Sequence, residues 1–254
     1  MSAISSVNSY NSVNYGNFAS GRKIQTAANG ASELAIIQKM ERQERGTNAA
    51  SENIKAGIGM LNISDGALGQ ITDDLQRMNE LALRATSSLL TDDDRAAIQS
   101  EIDQLKEGIA DIANQTTYNE HKLLDGSDSN YDIVTNTDGS SKNVTTGNAT
   151  LESLGIADFT VTGTFDISAI DNALKKVASM RSASGAQTNA LEHAYNNNNN
   201  YSWNITSAKS SLEDLDYPKA ISEMKKKQLL QEYQMHMQRK RMEDKKNQAA
   251  WMFS

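Results

Sequence analysis

The stretch LGQITDDLQRMNELA, residues 68–82, places Leu68, Ile71, Leu75, Met78 and Ala82 at steps of three, four, three and four. Such spacing puts one narrow apolar stripe on a helix, the pattern of bundles and coiled coils, whereas a half-buried strand would alternate. Further along, Ile98, Ile102, Leu105, Ile109 and Ile112 repeat the pattern at steps of four, three, four and three. Two such stripes in succession predict helices that pack on each other.

Between the stripes, Thr91 followed by Asp94 makes a capping box, with Asp92 and Asp93 where the helix dipole favours negative charge. Three adjacent aspartates suggest a cation, but the glycine and terminal glutamate of a calcium loop are missing, so capping is the expectation. Upstream, Glu33 to Met60 reads as another helix, carrying Leu34, Ile37, Ile54, Ile58 and Leu61. Gly57, Gly59 and Gly66 are expected to weaken or interrupt it.

Downstream, residues 125–165 are rich in Gly, Asn, Ser, Thr and Asp. Tyr131 to Thr135 and Phe159 to Thr164 read as short strands, with Asp138-Gly139 as a hairpin turn. A second helical region opens at Ser168, whose side chain with Asp171 suits a capping box. Ile167, Ile170, Leu174 and Val177 begin its stripe, and Ile205, Ala208, Leu212 and Leu215 continue it. Unbroken from Ser168 to about Met242, it would span on the order of 110 Å at 1.5 Å per residue. Five asparagines, Asn196 to Asn200, lie inside it. Tyr195, Tyr201 and Ile205 keep one face apolar across them, so helix is the expectation and a hinge the competing reading.

Composition agrees with long helices and thin seams. The 254 residues include one proline, Pro218, no cysteine and 6% aromatics, and the mean hydropathy is -0.59. Few bulky side chains leave little for a thick core, and no disulfide or thiolate site is possible. The expected fold is mainly α, an elongated antiparallel helical bundle or coiled-coil rod built from both chain halves, with a small β-hairpin region in the middle. Its divisions are a terminal helical region at 1–32 and 216–254, a rod at 33–126 and 166–215, and a variable β/loop region at 127–165. No basic-then-apolar leader opens the chain and no run reaches the roughly 18 apolar residues of a membrane span, so neither a cleaved signal nor membrane insertion is expected.

The net charge is -7. Residues 225–246 hold eight Lys or Arg against three acids, a local +5 that leaves -12 elsewhere. A basic helix of this kind can touch nucleic acid or anionic lipid, but a solvated face or a charge match between copies is the favoured reading, and no nucleic-acid partner is expected. The histidines His121, His193 and His236 lie far apart, without a second ligand at metal spacing. Neighbouring acids such as Asp73 and Asp74, or Glu213 and Asp214, diverge by about 100° on a helix, so solvation or capping explains them. Met224, Met235, Met237 and Met242 suit an adaptable packing surface. The expectation is therefore no enzyme, no cofactor and no metal; long amphipathic helices that cannot cover their own stripes point to self-association.

Ordered blocks at both ends resemble flagellin. Ser20-Gly21 with Ile24, Ala27, Ala31 and Leu34-Ala35-Ile36, then Arg45-Gly46, Asn48, Asn53, Gly57-Ile58 and Gly66-Ala67-Leu68, are similar to the family's amino-terminal half. Leu75-Gln76-Arg77, Glu80-Leu81-Ala82, Gln99, Glu101-Ile102, Gln115-Thr116, Tyr118-Asn119 and Lys122 to Gly126 complete it in order. Arg181, Gly185-Ala186, Asn189, Leu191-Glu192, Ser207-Ala208, Leu212-Glu213-Asp214 and Asp216-Tyr217 resemble the carboxy-terminal half.

The resemblance implies a secreted, extracellular structural subunit of the bacterial flagellar filament, a homo-oligomer that serves motility and leaves the cell through the flagellar type III export apparatus with an export chaperone. It also implies contact with a vertebrate innate immune receptor through Arg77, Leu81 and Glu101; alternatively Leu81 packs internally and Arg77 pairs with Glu101. Competing functions are a secreted ligand that does not polymerise and a hook-filament junction protein. Five features depart from the family: Asn29-Gly30 replaces paired aspartates, Glu120 follows Asn119 in place of glycine, Asn79 stands where arginine is frequent, the segment before Ser20 is shorter than usual, and Arg239-Lys240-Arg241 with Lys245-Lys246 makes the end basic.

Overall fold

The computed structural model of the chain describes residues 16–127 and 130–252. The parts of the expected regions at 1–15, 128–129 and 253–254 lie outside them. Helix α1 runs Ala31–Ala85 and α2 Asp92–Gln115, followed by strands β1 Thr117–Tyr118, β2 His121–Lys122, β3 Asn130–Val134 and β4 Ser141–Thr145. A short α3, Leu151–Leu154, leads to α4, Ser168–Glu213, and α5, Tyr217–Met252. None of the described helices is long and apolar enough to cross a membrane.

Two compact units divide the chain. Residues 44–203 form one; residues 1–43 and 204–254 form the other. In the first, α1 runs antiparallel to α2, since Arg77 meets Glu101 while Asp74 approaches Gly108. It also runs antiparallel to α4, as Arg181 binds Asp65, Leu191 lies beside Gly57 and Ser202 donates to Asn48. Their shared core holds Leu68, Ile71, Leu75, Met78, Ile102, Ile109 and Val177 at 0% exposure, with Ile98 at 8%. Leu105, Ile112 and Leu174 are partly buried against it.

The turn between α1 and α2 is closed by side chains. Thr91 Oγ1 accepts from the Asp94 N–H at 3.2 Å, and Asp94 accepts from the Thr91 N–H at 3.0 Å, so the expected capping box forms. These bonds, the one from the Thr91 hydroxyl foremost, hold the Asp94 carboxyl below its usual pKa. Arg95 donates to the carbonyls of Ala85 and Ser87, satisfying groups left open by the end of α1.

Five expectations need correction. Gly57, Gly59 and Gly66 do not interrupt α1, which stays helical for 55 residues. A Cβ at Gly57 would stand 3.1 Å from Ile133 and 3.2 Å from Leu191, and one at Gly46 would stand 2.9 Å from Thr137. Eleven residues apart, these two glycines lie on one helix face and admit the β3–β4 hairpin, so its approach accounts for the lost side chains.

Phe159 to Thr164 forms no strand. Val161 N–H donates to Gln99 Oε1 of α2 at 2.7 Å, so its donor is met by a side chain where a strand would need a ladder partner. At the start of α4, Asp166 rather than Ser168 supplies the cap, accepting from the Ser168 N–H at 2.9 Å and from its hydroxyl. Its carboxyl is lowered in pKa by those bonds, the hydroxyl's first.

Helix from Ser168 to Met242 is not continuous. The chain leaves α4 after Glu213 because Lys23 N–H takes the Glu213 carbonyl at 2.6 Å and Leu215 N–H donates to Gly21 at 2.9 Å. Pro218 also has no N–H to return to Asp214. Glu213 is therefore not solvated: its carboxylate is 7% exposed and pairs with Arg22 at 2.8 Å.

The asparagine run is helical, as its flanking aromatics suggest. Asn198 is buried, and its amide donates to the Thr135 carbonyl at 2.8 Å, tying the hairpin to α4. Tyr131 to Thr135 and Asp138-Gly139 behave nearly as read, with Tyr131↔Val144 and Val134↔Ser141 in register and Gly139 at φ 85°.

Candidate assembly and recognition surfaces

Among the described residues, no group of three or more His, Cys, Asp or Glu is placed to hold a metal ion. Arg77 extends from α1 and binds Glu101 of α2 through Nε at 3.0 Å and Nη2 at 2.7 Å, while Nη1 reaches Glu80 at 3.1 Å. These bonds, Glu101's first, raise the pKa of a guanidinium that is charged in any case. Both partners are half exposed, so the pair offers its outer atoms to solvent. Leu81, one turn from Arg77, is 1% exposed and belongs to the core.

The β1–β2 loop stands on the same unit. Register Tyr118↔His121 leaves Asn119 and Glu120 as a two-residue turn at φ 48° and 69°. A turn of this hand wants glycine second, and Glu120 strains it. Glu120→Gly is expected to stabilise the chain by about 1 kcal/mol in urea denaturation; an unchanged midpoint would show that no strain is held there.

In the other unit, Ile24 and Ile37 are buried, Ile205 is 8% exposed and Leu212 is half-buried. The Arg22 to Asp214 bridge joins the segment after Gly21 to the α4–α5 break, and the Tyr217 hydroxyl donates to Phe18 O at 3.3 Å. Beyond it, α5 is exposed nearly throughout its described side chains. Leu229 is 68% exposed, Tyr233 64% and Met242 68%. Lys and Arg spread around most of this helix, leaving a sector of about 100° that holds Met224, Met235 and Met242.

Residues 3–129 match the family model of the bacterial flagellin N-terminal helical region, and residues 167–242 match that of the C-terminal helical region. The chain belongs to the flagellin family. The flagellin of Halalkalibacterium halodurans is 34% identical over 84% of this chain and 80% of its own. A flagellar filament 30.7 kDa core protein of Treponema maltophilum is 30% identical over 84% of this chain and 81% of its own. Among solved structures, the Bacillus cereus flagellin is similar at 26% identity and a TM-score of 0.52, over 58% of this chain and 88% of that one.

Both matched helical regions carry side chains whose partners the sequence does not indicate. Arg181 meets Asp65 at 2.9 Å across 116 residues, and Lys106 Nζ donates to the Phe159 carbonyl. Gln187 accepts from Thr145 N–H and donates to its hydroxyl, which seats β4 on α4. Only the Gly46 and Gly57 spacing offered a sign of the hairpin's position, and by itself it reads as helix weakness.

Proposed function

We propose that this flagellin is a structural subunit of the bacterial flagellar filament outside the cell, exported through the flagellar type III apparatus with a chaperone and polymerised by its terminal segments. The exposed apolar side chains of α5 carry the reading. Leu229, Leu230, Tyr233 and Met235 are each more than half exposed in the single chain. Large apolar side chains concentrated on one element favour association, and repeated copies related by one rotation and rise would cover them. In this reading 1–32 and 216–254 assemble, 33–126 and 166–215 support, and 127–165 faces outward.

Seeding the full chain with sheared filament fragments should yield pelletable polymer, and removal of residues 217–254 should abolish it. A full chain that stays in the supernatant with every seed would instead favour the non-polymerising ligand. Immunolabelling confined to the filament base would favour the hook-filament junction.

A second role is recognition by a vertebrate innate receptor at Arg77 and Glu101, with Leu81 holding the helix face beneath them. The accessible ion pair favours it. Cells bearing such a receptor should respond to Arg77→Ala/Glu101→Ala at least tenfold more weakly than to the parent. Equal signalling from equally folded protein would sink the assignment.

A further inference from the structure

The β3–β4 turn and α4 enclose a cleft of 280 Å³ lined by Thr47, Asn136, Thr137, Asp138, Asn197 and Tyr201, with Asn198 at its base. Its walls are prearranged. Asn198 holds the hairpin through the Thr135 carbonyl, and Asn136 Nδ2 donates to Ser140 Oγ at 2.6 Å, leaving Asn136 Oδ1 as an acceptor. Asp138 Oδ1 accepts from the Ser140 N–H at 2.9 Å, and its carboxylate also takes the Ser140 hydroxyl, so the group is held in place while a carboxylate's several lone pairs leave room for a further donor. Among the described residues, neither the Asn197 amide nor the Tyr201 hydroxyl has a hydrogen-bond partner in the chain.

We propose that this cleft binds one ring of a neutral, hydroxyl-rich sugar. A carboxylate acceptor beside amides that both donate and accept matches the alternating donors and acceptors of neighbouring hydroxyl groups. The 42% exposed Tyr201 supplies a ring on which the apolar C–H face of a sugar can rest. No cation lines the cleft, and Asp138 repels anions, which excludes phosphorylated and acidic ligands. Its volume lies below the roughly 300–1,000 Å³ of pockets for drug-sized ligands, which suits a single ring. The neighbouring cleft along α4 is a poorer match: Lys55 Nζ sits 5.0 Å from the centre of the Tyr195 ring and occupies its face.

The test titrates maltotriose and triacetylchitotriose separately into the ¹⁵N-labelled full chain and follows the side-chain amides of Asn136 and Asn197. Expected with at least one sugar is a saturable shift at millimolar concentration, weakened at least tenfold by Asp138→Ala and by Asn197→Ala and unchanged by Lys55→Ala. Both weakening substitutions are at exposed positions, and thermal unfolding like the parent's confirms that the fold is kept. No shift at tens of millimolar of either sugar overturns the proposal, as does an equal shift in the Asn197→Ala and Asp138→Ala chains. Shifts that grow with protein concentration and ignore sugar overturn it in favour of a contact between copies.

Discussion

Leu75→Ala is expected to lower the unfolding free energy of the unit at residues 44–203 by about 4 kcal/mol, within the range of fully buried leucines. Leu75 has 0% exposure, and Ile71 and Met78, its neighbours along the stripe, are equally closed to solvent. Truncation removes its transfer free energy and leaves a void that α1 cannot close, because the same helix is held to α2 at Arg77 and to α4 at Asp65. Met78, a flexible side chain one turn along the same stripe, can fill part of the space, which places the cost below the top of the range. Urea titration followed by helical circular dichroism measures it. Leu83→Ala, on the same helix at 56% exposure, should move the midpoint little; equal losses from both would show that burial does not govern stability here.

Gly126→Val is expected to cost about 3 kcal/mol by two additive routes. The backbone sits at φ 80°, where a β-branched residue is strained by about 1–2 kcal/mol. An added Cβ would also stand 2.8 Å from the Asn148 amide carbon. Asn148 cannot simply turn away, since its Oδ1 accepts from the Thr150 N–H at 3.0 Å and hydroxyl at 2.8 Å, ordering the residue that caps α3. Losing that order adds about 1 kcal/mol. The same denaturation experiment decides it, with Gly139→Val as comparison: that glycine also has positive φ but nothing within 4 Å of its Cβ position, so it should lose only the backbone share.

Helices were legible where a side-chain rule acts over a few residues. The stripe from Leu68 to Ala82, the Thr91–Asp94 box and the apolar flanks of the asparagine run all depend on spacing within one or two turns, and all appear as read. Reading failed where a distant partner changed the outcome. Gly57 is a helix breaker by propensity, yet α1 continues because Ile133 and Leu191 pack where its side chain would be. Glu213 sits in a polar run, yet Arg22 buries it, almost two hundred residues away in sequence.

For this chain, then, local spacing and composition determine long helices, their capped turn, the flagellin resemblance and a basic final segment. Tertiary structure decides that two glycines seat the hairpin, that Leu81 lies inside while Arg77 and Glu101 lie outside, that Glu213 is buried against Arg22, and that Asn198 closes the base of a cleft. The reason is physical. Helix formation is governed by neighbours three and four residues apart, whereas burial, ion pairing and the satisfaction of a buried carbonyl are settled by whichever segment packs against them.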